Sequence, residues 1–360
     1  DIKDNLDYLI TNNIDYIFIT GGIGPTHDDI TKKALADYFN TSLVVNSSYY
    51  LRLKEYFKNK NIKATSILKS QAQILENSVP IPNRYGTALG MKIEYNKSII
   101  FVLPGVPREV KGMVEEEICP LYLSPSLKEV EKYITLLTTG VNESKLFEIL
   151  ENIIDENSDN FKVSFLPKYT GVKIRLSKRK EEKDLNMFKD MIMNKIGKYV
   201  YGFDDDKIEE IVAKKIVKNG LTLAVAESCT GGYISKKLTD IPGSSSYFKG
   251  SIVAYDNSIK EQFLEISNQS LIDNGAVSSE VAIEMAENIR NKFKVDIGLS
   301  TTGISGPSGG SEDKPIGLIY IAISTKNKKI VKKFNLIPRR REHRDIATHT
   351  ALNMLRLVIK

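Results

Sequence analysis

The sequence predicts an α/β protein of more than one domain, and three observations predict it. Its 360 residues exceed the roughly 100–200 residues of one ordinary domain. Short apolar runs of strand length alternate with segments of helical period, the pattern of a parallel or mixed sheet with helices on its faces. Several glycine-bearing turns follow a strand pattern and open a helix pattern, where open α/β sheets bind ligands. Hydrophobic residues make up 41% and charged residues 27% of the chain, which excludes a disordered, collagenous or coiled-coil protein. No apolar run approaches the ~18 residues of a membrane helix, so no membrane partner is expected.

Three segments follow in order. The first, 1–130, opens at Asp1 with a helical period already running to residue 9, so the chain reads as starting inside a domain. A strand is expected at 16–20, helices at 29–39 and 49–59, and a strand at 98–103. The second, 131–203, carries a strand at 133–138 and a helix after Asn142. Strands at 162–165 and 171–177 and a helix at 181–196 complete a small α+β unit. The third, 204–360, starts at Asp204, Asp205 and Asp206, good N-cap residues for a helix over 207–219 that Gly220 closes. Strands are expected at 221–226, 250–255, 295–301, 317–324 and 329–335. Helices are expected at 232–238 and 278–293, with a last one from Arg340.

Charge and cysteine content narrow the partners. With 51 basic and 45 acidic residues the net charge is +6. That suits a small anionic substrate and does not by itself signal nucleic acid. The two cysteines, Cys119 and Cys229, form neither a disulfide framework nor a CxxC zinc site, so a cytoplasmic location is expected.

In the first segment, Thr20-Gly21-Gly22-Ile23-Gly24-Pro25-Thr26-His27-Asp28-Asp29-Ile30-Thr31 joins a strand to a helix. Its glycines let backbone approach a ligand, and amides at a helix start favour an anion. Asp28 and Asp29 either hold a divalent metal such as Mg²⁺ bridging phosphates or cap the helix. Gly86–Gly90 and Leu103-Pro104-Gly105-Val106-Pro107-Arg108-Glu109 are further glycine-bearing loops.

The third segment is richer. Ala226-Glu227-Ser228-Cys229-Thr230-Gly231-Gly232 is followed by Ile241-Pro242-Gly243-Ser244-Ser245, then by Tyr255-Asp256-Asn257-Ser258-Ile259-Lys260. Thr302-Gly303-Ile304-Ser305-Gly306-Pro307 comes later. A Ser-His-Asp triad is not expected, since His27, His343 and His349 lie outside these loops, and no Gly-x-Ser-x-Gly elbow occurs. A serine nucleophile would need another base, and a lysine serves when desolvation lowers its pKa. Taken alone, Lys260 reads as a solvated lysine and Gly243-Ser244-Ser245 as a turn.

These motifs, in this order, resemble the CinA family of competence/damage-inducible proteins. The resemblance implies a molybdopterin-binding-like α/β domain at 1–130 and a KH-like α+β domain at 131–203. It implies a three-layer α/β deamidase domain at 204–360. The family's first strand, with its Gly-Thr-Glu loop, would lie before Asp1, so the front domain is expected to be truncated. The implied reaction is hydrolysis of the carboxamide of nicotinamide mononucleotide by a Ser-Lys dyad, carried over as Ser245 and Lys260, with Tyr255 and Thr302 also at the site. Ser228, Thr230, Gly231, Gly232, Gly303, Gly306 and Arg340 are the implied substrate-binding residues, with the substrate phosphate on the Gly231-Gly232 helix start. Arg340 stands in Pro338-Arg339-Arg340, where the family carries Gly-Asp-Arg. No cofactor is implied for deamidation, and a homodimer is expected. The alternatives are a metal-dependent ADP-ribose pyrophosphatase using Asp28 and Asp29, and a non-enzymatic DNA-related module. Nucleic acid is not expected, because no Gly-x-x-Gly loop occurs in 131–203.

Overall fold

A computed structural model of the chain describes residues 1–62, 67–123, 133–180 and 182–359. The chain divides into two compact units, Asp1–Val130 and Glu131–Lys360. The domain boundary expected between 130 and 131, and the helix start expected at 181, lie outside the described residues.

In the first unit, Tyr16–Thr20 runs parallel to Ser98–Leu103. Gly90–Tyr95 and Val79–Ile81 extend this sheet in antiparallel fashion. Leu35, Leu75, Met91, Ile93 and Ile100 bury against it. The helix expected at 29–39 is Thr31–Tyr38, because Asp29 is used earlier. Its carboxylate accepts the Thr26 amide at 2.8 Å and the Thr26 hydroxyl at 2.6 Å, closing a turn instead of capping the helix.

The first part of the second unit pairs Tyr133–Thr138, Phe161–Lys168, Gly171–Lys178 and Val200–Phe203 in one antiparallel sheet. Helices Glu143–Glu156 and Leu185–Ile196 cover it. Asp204 and Asp206 do not cap the helix that follows. Asp204 accepts the Thr135 amide and Asp206 the Phe203 amide, so they fasten the end of this sheet.

The remaining chain forms α1 (Ile208–Lys218), β1 (Leu223–Glu227), α2 (Tyr233–Thr239), β2 (Phe248–Val253), α3 (Asn257–Leu264), α4 (Asn268–Asn274), α5 (Ser279–Phe293), β3 (Ile297–Gly303), β4 (Leu318–Thr325), β5 (Lys329–Asn335) and α6 (Arg340–Val358). The strand order is β2-β1-β3-β4-β5. β2, β1 and β3 run parallel, β4 pairs antiparallel with β3, and β5 pairs antiparallel with β4. Strand alternation makes the layers. Leu223, Val225 and Leu299 pack with α1, α2 and α6 on one face, while Ala224 and Ala226 pack with Leu264 of α3 and with α5 on the other. Sequence reading places β2 two residues late and misses α3, which changes the setting of Lys260 from a surface turn to a packed helix.

Candidate active site

β1, β2 and β3 end at one edge of the sheet. The ladder runs slightly past them, through Ser228 N–H to the Thr301 carbonyl at 3.0 Å and Ala254 N–H to the Glu227 carbonyl at 2.8 Å. Glu227 pairs with Thr301 in register, so Ser228 lies beside Thr302 on the α5 face. Ser228 is 8% exposed, and its Oγ makes no hydrogen bond among the described residues.

Lys260 is on α3, which packs on that same face. It is 1% exposed, and its Nζ donates to the Tyr255 carbonyl at 3.2 Å. Burial lowers its pKa below the ordinary lysine value, and Asp256 at the start of α3 offsets this in part. Taking an ammonium out of water without a paired carboxylate favours the neutral amine.

Tyr255 contributes twice. Its carbonyl receives Lys260, and its hydroxyl accepts a hydrogen bond from Arg340 Nη2, while Arg340 Nη1 donates to the Gly306 carbonyl at 3.0 Å. Tyr255 and Lys260, Gly306, and Arg340, from three separate sequence motifs, therefore meet at this edge.

Ser245 is not among them. It is exposed in the short 3₁₀ turn Ser244–Ser246 that precedes β2, and Tyr247 is bonded to Leu223 at the start of β1. Lys260 follows the other end of β2. A strand rises about 3.3 Å per residue, so roughly 20 Å of β2 separates the two within one chain. A 630 Å³ cavity touches Pro242 and Gly243 on the Ser245 side, and its lining includes Lys207 and Lys237, each paired with a glutamate.

Other expected roles also change. Thr302 is 1% exposed and donates its hydroxyl proton to the Ala276 carbonyl at 2.6 Å, so that proton is not free for an oxyanion. Thr230 is fully buried, its hydroxyl 2.8 Å from that of Thr301, and its side chain reaches no ligand. Gly303 makes room for the close pairing of β3 with β4, where a Cβ would press on the Leu318 carbonyl.

The start of α2 is already occupied by a side chain. The Glu227 carboxylate, 0% exposed, accepts Gly232 N–H at 2.9 Å, Ile234 N–H at 3.2 Å, and Ser235 N–H at 2.9 Å with its hydroxyl at 2.6 Å. A substrate phosphate cannot take these amides. Gly231 N–H is likewise engaged, by the Ser228 carbonyl. In the turn, the amides of Cys229 and Thr230 have no backbone acceptor among the described residues. Cys229 itself is 5% exposed, and burial pushes its thiol up to about 12, so it is not a thiolate nucleophile.

Three participants escaped sequence reading. Arg344 donates from Nε and Nη2 to the Thr230 carbonyl at 3.2 and 2.9 Å and lies 4.2 Å above the Tyr233 ring. It is four residues from Arg340, hence on the same helix face, which is the signal that could have found it. His343 is fully buried with Nδ1 2.9 Å from Ser305 Oγ, and burial holds its pKa below the ordinary value. Glu227 lay in a quoted motif but gave no sign of facing a helix start.

In the first unit, Gly21 N–H bonds the Leu103 carbonyl at 3.0 Å, and Asn83 bonds Glu109 at 2.6 Å. The three glycine-bearing loops thus share one sheet edge. Asp28 is exposed and Asp29 is engaged by Thr26. Among the described residues no three His, Cys, Asp or Glu side chains converge as a metal would require.

Three domain families match the chain. The CinA C-terminal domain matches 205–359, the "Probable molybdopterin binding domain" 1–124, and the damage-inducible protein CinA KH domain 134–202. The chain is 39% identical to a competence-damage inducible protein of Caldicellulosiruptor saccharolyticus, over 99% of this chain and 88% of that one. It is 38% identical to a CinA-like protein of Dictyoglomus thermophilum, over 95% and 84%. A solved structure, the competence/damage inducible protein CihA of Agrobacterium tumefaciens, shares 34% identity over 43% of this chain and 98% of that one, with a TM-score of 0.41.

Proposed function

The chain belongs to the CinA family, and from that premise we propose that its last domain hydrolyses the carboxamide of nicotinamide mononucleotide, releasing ammonia in pyridine nucleotide recycling. The observation that carries the reading is Lys260, a buried lysine at this strand edge whose Nζ donates to one backbone carbonyl and, among the described residues, to no carboxylate. A neutral amine there is a base for a neighbouring hydroxyl. Ser228 takes the place of Ser245 in the dyad, because it shares the edge and face of Lys260 and its Oγ is uncommitted.

Ser228 Oγ attacks the amide carbon as Lys260 Nζ takes its proton. Lys260 gives a proton to the amide nitrogen, the C–N bond breaks, and ammonia leaves an acyl-serine. Water then attacks the ester carbonyl, its proton passing through Lys260 back to Ser228 Oγ. Backbone amides at this strand edge supply the oxyanion donors, and losing one such donor costs about 10²–10³ in rate. Arg340, steadied by Tyr255 and Gly306, is the cation for the phosphate now that Glu227 is known to fill the α2 start.

The test is ammonia release from nicotinamide mononucleotide by the full chain. Wild type should turn over, Lys260→Met and Ser228→Ala should not, and Ser245→Ala should. Absence of ammonia from the wild type, or a Lys260→Met rate within about tenfold of the wild type, overturns the reading. ADP-ribose with Mg²⁺, assayed for AMP, tests the pyrophosphatase alternative in the same preparation.

A further inference from the structure

We propose that Glu227 and Arg344 are positioning residues that clamp the 228–232 turn from opposite sides, fixing Ser228. This rests on the proposed function above. The Gly231-Gly232 peptide carries the argument. Its carbonyl faces Arg344 Nη2 at 3.4 Å, and its N–H donates to Glu227 at 2.9 Å. One peptide unit therefore lies between a guanidinium and a carboxylate. The preceding peptide has its carbonyl on Arg344 at 2.9 Å and its N–H on the Ser228 carbonyl at 3.1 Å.

This arrangement accounts for the burial of Glu227. No lysine or arginine pairs with it directly among the described residues. Buried polar groups need hydrogen-bond partners, and here three backbone N–H groups and a hydroxyl converge on the carboxylate while the aligned peptide links it to a guanidinium. Gly231 and Gly232 make the turn possible, with φ of +55° and +91°. At Gly231 a Cβ would lie 3.0 Å from Arg344 Nη2, so the glycine also admits the guanidinium.

The consequence is a division of the turn's donors. Glu227 consumes the amides of residues 232, 234 and 235, and the Ser228 carbonyl consumes that of 231. Arg344 stops these peptides from rotating, so the turn holds the Ser228 hydroxyl in one geometry. A displacement of about 1 Å at such a site costs about 10²-fold in rate.

The experiment measures steady-state ammonia release and, separately, the rate at which a fluorophosphonate probe phosphonylates Ser228 with loss of fluoride, in wild type, Arg344→Gln and Arg344→Lys. Arg344→Gln should lower kcat about 10²-fold with KM changed less than about threefold, and should slow labelling in parallel. Arg344→Lys should recover part of both, since an ammonium reaches one carbonyl but cannot bridge two. Wild-type labelling rates in Arg344→Gln, or a loss confined to KM, overturn the clamp. Labelling that depends on Arg344 in a wild type that releases no ammonia upholds the clamp and removes the substrate instead.

Discussion

Lys260→Met separates the base from the scaffold. The methionine fills the same 1% exposed site and carries no charge to desolvate. At pH 7.5 a lysine with the ordinary pKa of about 10.4 is neutral about once in 10³ molecules, and each unit of lowering raises that tenfold, equivalent to about 1.4 kcal/mol. Because burial lowers the pKa in the folded state, the unfolded chain holds the proton more tightly. Stability then rises with pH between the lowered pKa and about 10.4, and is least below that window. At pH 7 Lys260→Met is relieved of the cost, so its melting temperature should rise, by about 2–4 °C per kcal/mol for a domain of this size. Activity should fall by about 10²–10⁴, the usual worth of a general base. Calorimetry at pH 7 and 10, with an ammonia-coupled rate profile over the same range, reads both effects. The wild-type rate should climb with pH and level off below pH 10.4, and the stability gain of the variant should shrink toward pH 10. A Lys260→Met protein that melts lower than wild type at pH 7, together with a rate limb at the ordinary lysine pKa, refutes the reasoning.

Other outcomes follow from the same geometry. Ser228→Ala should abolish ammonia release while Ser245→Ala keeps at least about half of it; if the two results are reversed, mixing Ser245→Ala with Lys260→Ala protein tests whether Ser245 of one copy meets Lys260 of another, and restored turnover would identify a shared site. Native Cys229 should resist iodoacetamide at pH 8, because burial holds its thiol near 12, and mass mapping of the alkylated protein checks it. His349, packed against Tyr201 and 3.3 Å from Thr139 Oγ1, is held down to about 4 by burial. The unfolded chain binds its proton first, so stability of the second unit should be lost as pH falls from about 6.5 to 4. A His349→Gln variant should flatten that limb in thermal melts.

The strands and most helices were legible because their periods are strong: 98–103 is an apolar run, and 279–293 repeats its apolar side at helical spacing. What misled was local competition for single groups. Aspartates at 204–206 look like caps, yet two of them bond amides of the preceding sheet, which only the tertiary pairing reveals. Helix α3 was hidden because Asp256-Asn257-Ser258 reads as a turn; Asp256 does cap there, accepting the Ser258 amide at 2.9 Å, and the helix it starts carries Lys260 inward. The nucleophile was the harder case. The resemblance implies Ser245 as nucleophile and Ser228 as a substrate-binding residue, and no property of a linear pattern tells which end of a parallel strand a loop occupies. That is decided by β2, whose direction places residue 245 before it and residue 260 after it. Strand direction and alternation support the proposed assignment: the residue one step past Glu227 falls on the α5 side, where α3 and Lys260 pack. The same alternation sends Glu227 to the opposite face and into the start of α2. Adjacent residues of one motif thus divide the work, Glu227 fixing the turn and Ser228 facing the base, and exchanging the two side chains would undo both roles at once.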